Sequence, residues 1–158
     1  MKVEIVGYEK KYYNEVLNLK LKEDDKKEVE ASSGVPARRV LQRITNQYSR
    51  SMYLILFEGK VTGIFGVVPS GQPGIGIGYL LTNDEINKYK WDMAKYSIPV
   101  FVHLLQQFPV ITNYVSSEHK TSIKWLKRFG ARFDGKAYIL HDPDVPFYKF
   151  ELRISDYV

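Results

Sequence analysis

The chain has 158 residues, 44% hydrophobic and 26% charged, with a net charge of +5, which fits one soluble domain large enough to bury a core. Its 14% aromatic content excludes a disordered polymer. The absence of cysteine excludes disulfides, thiolate metal sites and a cysteine nucleophile.

The opening "MKVEIVGYEK" alternates like a strand through Val3, Ile5 and Val6 and lacks the apolar run of a secretion signal. Tyr13, Val16, Leu17 and Leu21 then recur at helical spacing. The pattern dissolves into "KEDDKKEVEASSG", which is either a helix tail or a mobile loop. Pro36 suits the first turn of a second helix, whose apolar stripe is Val40, Leu41, Ile44 and Tyr48. "MYLILFEGKVTGIFGVVPSG" reads as a β-hairpin turning at Glu58-Gly59-Lys60, and "IGIGYLLT" as a third strand. From Asp84 to Phe108, Ile86, Tyr89, Met93, Tyr96, Val100, Leu104 and Phe108 keep helical spacing. Pro99 is expected to kink or split that helix, with Ser97 capping the second half. "PVITNYVSS" reads as a strand, and "EHKTSIKWLKRFG" as a helix capped by Ser117 and ended by Gly130. "RFDGKAYILHD" and "PFYKFELRI" close the chain as strands. No repeat or linker interrupts residues 1–158, so one domain is expected, α/β (α+β) in class, with a mixed, largely antiparallel sheet. No apolar run reaches a membrane-spanning length, and a cytoplasmic location is expected.

The stretch "GIGIGYLLTN", residues 74–83, has too few glycines in the right places for a dinucleotide fingerprint, and no Gly-Lys-Ser/Thr follows for a phosphate loop. As a strand it puts Ile75, Ile77, Tyr79 and Leu81 on one face and Gly74, Gly76, Gly78 and Leu80 on the other. A face without side chains admits a ligand or a second backbone, or serves a crowded sheet.

Taken whole, the element order resembles the GNAT superfamily of N-acetyltransferases. "EGKVTGIFGVV" looks like its hairpin, and "YVSSEHKTSIKWLKRFGARF" like its late strand–helix segment. Within that superfamily, "EVEASSGVP", "GIFGVVPSG", "YLLT", "FPVITNYV" and "EHKTSIKWLKRFGA" are similar to phage-encoded proteins often called podovirus internal virion proteins. The resemblance implies a GNAT-like sheet flanked by about four helices, acetyl-CoA as cofactor, and an amine on a protein or small molecule as acceptor. It also implies a phage or host protein as partner, and host cytoplasm or a virion as location. It further implies that Leu80, Leu81 and Thr82, with Asn83 and Lys88, lie along the cofactor, the strand backbone pairing with its pantetheine arm.

Two departures from the family pattern stand out. Its glycine loop for the pyrophosphate is replaced by "TNDEINKYK", where Asp84 and Glu85 suit a helix start but repel phosphate. Counting back from Gly130, the family's asparagine falls at His119 and its catalytic tyrosine at Leu126, which has no proton to give. His119, with a side chain that titrates near neutrality, is then the candidate for proton transfer. Glu30 and Glu28, in the region that builds the acceptor pocket, are candidates to receive a cationic amine or its proton. His103, His141, Tyr12 and Tyr13 read as structural, and the histidines are too scattered for a metal. Lys120, Lys124, Lys127 and Arg128 form a basic helix face that a solvated surface explains without nucleic acid. Two functions follow: an acyl-CoA-dependent N-acyltransferase, or a GNAT-shaped protein that no longer binds cofactor and works by contacts.

Overall fold

The computed structural model describes residues 2–157. Among them, seven strands and five α-helices run in the order β1 (Val3–Gly7), α1 (Tyr13–Leu17), α2 (Glu23–Ser33), α3 (Ala37–Tyr48), β2 (Met52–Phe57), β3 (Lys60–Pro69), β4 (Ile75–Thr82), α4 (Ile86–Gln107), β5 (Val110–Ser116), α5 (Lys120–Arg128), β6 (Arg132–Ile139) and β7 (Pro146–Arg153). They form one sheet in the order β1-β2-β3-β4-β5-β7-β6. Every pairing is antiparallel except β4 with β5, the mixed, mostly antiparallel sheet expected.

The charged stretch is helical: Glu23, Asp24 and Asp25 occupy the first turn of α2, where carboxylates complement the positive end of the helix. The helix before it is shorter than its apolar spacing suggests. α1 stops at Leu17, and the Asn18 side chain donates back to the Asn14 carbonyl, a local bond that competes with continued helix. α1 and α3 cover one face of the sheet through Val16, Ala37 and Leu41, packed with Leu54, Ile64 and Leu81. α4 and α5 cover the other through Met93, Leu104, Leu105, Ile123 and Leu126, against Val67, Ile111 and Leu152. No helix among the described residues is long and apolar enough to cross a membrane.

Two local expectations are corrected. Pro99 does not split α4; the non-helical residue is Tyr89, at φ −140° and ψ 21°. Ser97, far from capping a second helix, donates to the Ala94 carbonyl at 3.2 Å. Tyr89 leaves helical geometry because its ring stacks on Phe57, with centroids 4.6 Å apart, and its hydroxyl bonds to the buried Thr62. The start of α5 is capped by the His119 side chain rather than by Ser117.

The glycine face of β4 turns out to be a packing device. A Cβ at Gly76 would collide with Val67 and lie 2.9 Å from the Phe108 ring; one at Gly78 would lie 2.6 Å from Ile111 Cγ2. Core side chains occupy the space at these two positions. Gly76→Ala is accordingly expected to cost about 1–3 kcal/mol by overpacking. Urea denaturation checks this, and a neutral effect would refute the crowding.

The opening in the sheet lies further along. β4 and β5 are in register only over Ile75–Ile77 and Val110–Thr112. Beyond that the strands part, and the single bridge is the Asn113 side-chain amide, which donates to the Gly78 carbonyl at 2.7 Å. Across the sheet Thr82 pairs with Gly63 and Leu80 with Phe65. The Thr82 N–H points away from β3, toward α2. Because backbone groups alternate sides along a strand, the N–H of Leu80 also faces the gap.

Candidate functional site

The site is built where α2 crosses the open end of this gap. Within α2, Asp25 and Val29 fall four residues apart, so the register that packs Val29 on the core also turns Asp25 inward. Asp25 is only 3% exposed. One of its carboxylate oxygens accepts the Thr82 N–H at 2.9 Å and lies 3.5 Å from the Lys22 ammonium. The other is 2.7 Å from Nε2 of His119, itself 3% exposed. One turn on, half-buried Glu28 accepts the Ser116 N–H at 3.0 Å. Two carboxylates of one helix thus hold the ends of two strands that no longer pair with each other.

Charge burial sets the chemistry of this cluster. Desolvation raises the Glu28 carboxyl to about 7 despite the opposing Ser116 hydrogen bond and the charge of His119. For His119, desolvation is the largest influence and pushes the imidazole down. The hydrogen bond to Asp25 and the charges of Glu28 and Asp25 outweigh it, leaving the ring above its usual value. A carboxyl near neutrality beside such an imidazole is equipped to exchange protons at physiological pH. Ser122 completes the surroundings, but its hydroxyl lies 3.1 Å from the same Nε2 that faces Asp25. Ser122 and Asp25 sharing one nitrogen is the wrong geometry for a serine nucleophile relayed through histidine.

The cluster opens onto a cleft of about 690 Å³ whose walls include Glu28, Glu30, Ser116, Glu118, His119 and Asp142. The loop between β6 and β7 forms its far wall and is tied to α2 by the Asp142 N–H, which donates to the Ala31 carbonyl at 2.9 Å. Gly34 ends α2 at φ +75°, and the His141 ring fills the position where any other residue would carry its side chain. Glycine is required there on both counts.

All three candidate proton-handling residues, His119, Glu28 and Glu30, line this one cleft. Glu30 is also occupied structurally, accepting the Ala37 N–H at 3.0 Å at the start of α3. The residues expected along a cofactor are more dispersed. Leu80 is exposed and Leu81 is buried in the core. The Thr82 N–H is taken by Asp25 and its hydroxyl accepts from Lys22 at 3.0 Å. Asn83 caps the turn before α4 through the Glu85 N–H, and Lys88 pairs with Glu85 at 3.0 Å. Leu126, at the family's tyrosine position, packs against the core. On the basic face of α5, Arg128 lies 4.5 Å from the centre of the Trp91 ring and Lys127 5.9 Å from that of Phe133, so two of its four cations rest on aromatic rings. His103 is exposed and contacts Gln107. Asp25 was absent from the sequence-based candidates. The signal was there, in an aspartate one turn before Val29 on the core-facing side of α2.

Among solved structures the chain is similar to spermidine N-acetyltransferase from Vibrio cholerae in complex with CoA and spermine, with TM-score 0.73 and 9% identity over 98% of this chain and 97% of that one. It is also similar to a GNAT-family acetyltransferase from Bacillus anthracis (TM-score 0.70, 15% identity, 98% and 96% covered) and to an N-acetyltransferase from Staphylococcus aureus Mu50 (0.71, 12%, 98% and 99%). The chain has the GNAT fold. No protein-family model and no curated protein sequence matches it. The strand that the resemblance places along a cofactor, β4, is one of the two that part, and five helices stand where about four were expected.

Proposed function

We propose that the protein is an N-acyltransferase that uses an acyl-coenzyme A donor and an amine acceptor. The observation that carries this is Glu28: a carboxyl near neutrality, at the open end of the gap between β4 and β5, facing a cleft large enough for a second substrate. The V. cholerae neighbour holds CoA and spermine, the two classes of molecule the reading requires.

The fit differs between the two ends of the donor. For the thioester arm, the gap offers the Leu80 backbone, with no β5 residue in register beside it, and such an edge pairs with an extended amide-bearing ligand. For the phosphates, Asp84 and Glu85 at the start of α4 are unfavourable. Lys90 and the Arg128 guanidinium over Trp91 are the cations that would offset them. A bound donor supplies the activated acyl carbonyl. The protein's own part is to hold the amine in the cleft against Glu28, which would take the proton the nitrogen loses as the C–N bond forms and the donor's C–S bond breaks. The departing thiolate takes its proton from solvent. The Leu80 N–H at the gap stabilises the charge that develops on the carbonyl oxygen. His119, buried beside Glu28, sets how readily that carboxylate gains its proton. The acceptor is a small-molecule or protein amine, and the phage-type assignment rests on the local sequence patterns alone.

A second reading, a GNAT-shaped protein acting by contacts with a phage or host protein, is favoured by one observation. Thr82, whose backbone the family would offer to the cofactor, already gives its N–H to Asp25. Thermal-shift titration with acetyl-CoA separates the two. Ligand at 100 times its dissociation constant adds about 2.7 kcal/mol of stability, so a rise of several degrees is expected. An unchanged melting temperature at millimolar acetyl-CoA would remove the acyltransferase reading in favour of the second.

A further inference from the structure

Asp25 meets His119 in a way that does more than fill the core. One carboxylate oxygen is pinned by the Thr82 N–H, with Lys22 beside it; the other faces His119 Nε2. At the opposite edge of the ring, Nδ1 lies 3.4 Å from the Ser122 N–H. An N–H can only be received by a nitrogen that carries no proton. The neutral ring is therefore held with its hydrogen on Nε2, toward Asp25, and its lone pair toward the first turn of α5.

We propose that Asp25 is a positioning residue, which fixes the tautomer and charge of His119 and, through that charge, the readiness of Glu28 to accept a proton. The inference rests on the acyltransferase reading for its consequence in turnover, but not for its geometry. Among the described residues, the charged groups that act on the ring are Asp25, Glu28 and Lys22, from α2 and its approach, and Ser122 of α5 places its hydroxyl 3.1 Å from Nε2. Without the Asp25 charge, Glu28 alone would be left to oppose desolvation.

The test uses ¹⁵N and ¹³C NMR of the imidazoles of the full chain over pH, with Asp25→Asn beside the wild type. The wild-type ring is expected as the Nε2–H tautomer when neutral, titrating above a free histidine. In Asp25→Asn the midpoint should fall below that of a free histidine, and kcat for acetyl transfer at neutral pH should drop by about tenfold or more with KM little changed. An Asp25→Asn midpoint equal to that of the wild type would overturn the inference. So would a wild-type Nδ1–H tautomer, which is read without any substitution and serves if Asp25→Asn does not fold. A protein that shows the expected titrations but transfers no acetyl group would sink the acyltransferase reading while leaving the Asp25–His119 coupling in place.

Discussion

Glu28→Gln is expected to abolish most acyl transfer while making the protein more stable in mild alkali. The amide keeps an oxygen for the Ser116 N–H, so the strand end stays held, but it has no basicity. Loss of a positioned general base typically costs about 10²- to 10⁴-fold. Stability moves the other way because the carboxyl is raised from 4.5 to about 7 on folding. A raised carboxyl makes the folded state the stronger proton binder, so its contribution is fully present below the unfolded value. That contribution is lost as pH climbs through the folded value. Wild-type stability should therefore decline between about pH 4.5 and 7 from this group, and Glu28→Gln should not share that decline. The difference at pH 8 relative to pH 5 is expected to be on the order of 1–3 kcal/mol, allowing for the water that still reaches a half-buried group. His119, also raised, adds a decline of the same sign in both proteins, so the comparison is made on their difference. Urea denaturation at the two pH values, paired with an acetylation assay, reads both effects. An equal stability difference at pH 5 and pH 8 would show that Glu28 is not desolvated as described.

Leu80→Pro should remove donor binding while leaving the sheet intact. The Leu80 N–H faces the gap and not β3, so proline, which has no N–H, deletes a group that no ladder bond uses. The side chain is 47% exposed, and little burial is lost with it. We expect a stability loss of about 1 kcal/mol from the fixed proline φ, together with disappearance of the acetyl-CoA thermal shift. Leu80→Ala, which keeps the N–H, should retain the shift. A shift that survives in Leu80→Pro would show that the ligand does not pair with this strand.

Much of the architecture is legible in one dimension because local patterns and the tertiary fold agree. The two apolar runs flanking Glu58-Gly59-Lys60 in "MYLILFEGKVTGIFGVV" read as a hairpin, and Glu58 and Gly59 adopt positive φ at its turn, as two-residue hairpin loops demand. Where local signals were weak or competing, the outcome waited on three-dimensional neighbours. Proline is normally a helix breaker, yet α4 runs through Pro99 and departs from helical geometry at Tyr89, whose partners Phe57 and Thr62 lie about 30 residues away in sequence. The glycines of β4 are readable as a bare face, but what fills the space beside them is not; Val67, Phe108 and Ile111 do.

The same division runs through the candidate site. His119, Glu28 and Glu30 were marked out by their ionisable side chains together with the positions that the family resemblance implies, counted back from Gly130 for His119 and taken from the acceptor-pocket region for the two glutamates. Their convergence on one cleft, and the burial that lifts Glu28 to about 7, depend on contacts spanning 88 residues between Glu28 and Ser116 and 94 between Asp25 and His119. Short-range periodicity thus determined the elements and their order. Desolvation and long-range hydrogen bonding, which exist only once α2 is laid across the ends of β4 and β5, decided which of the charged residues became chemical groups and which stayed as surface.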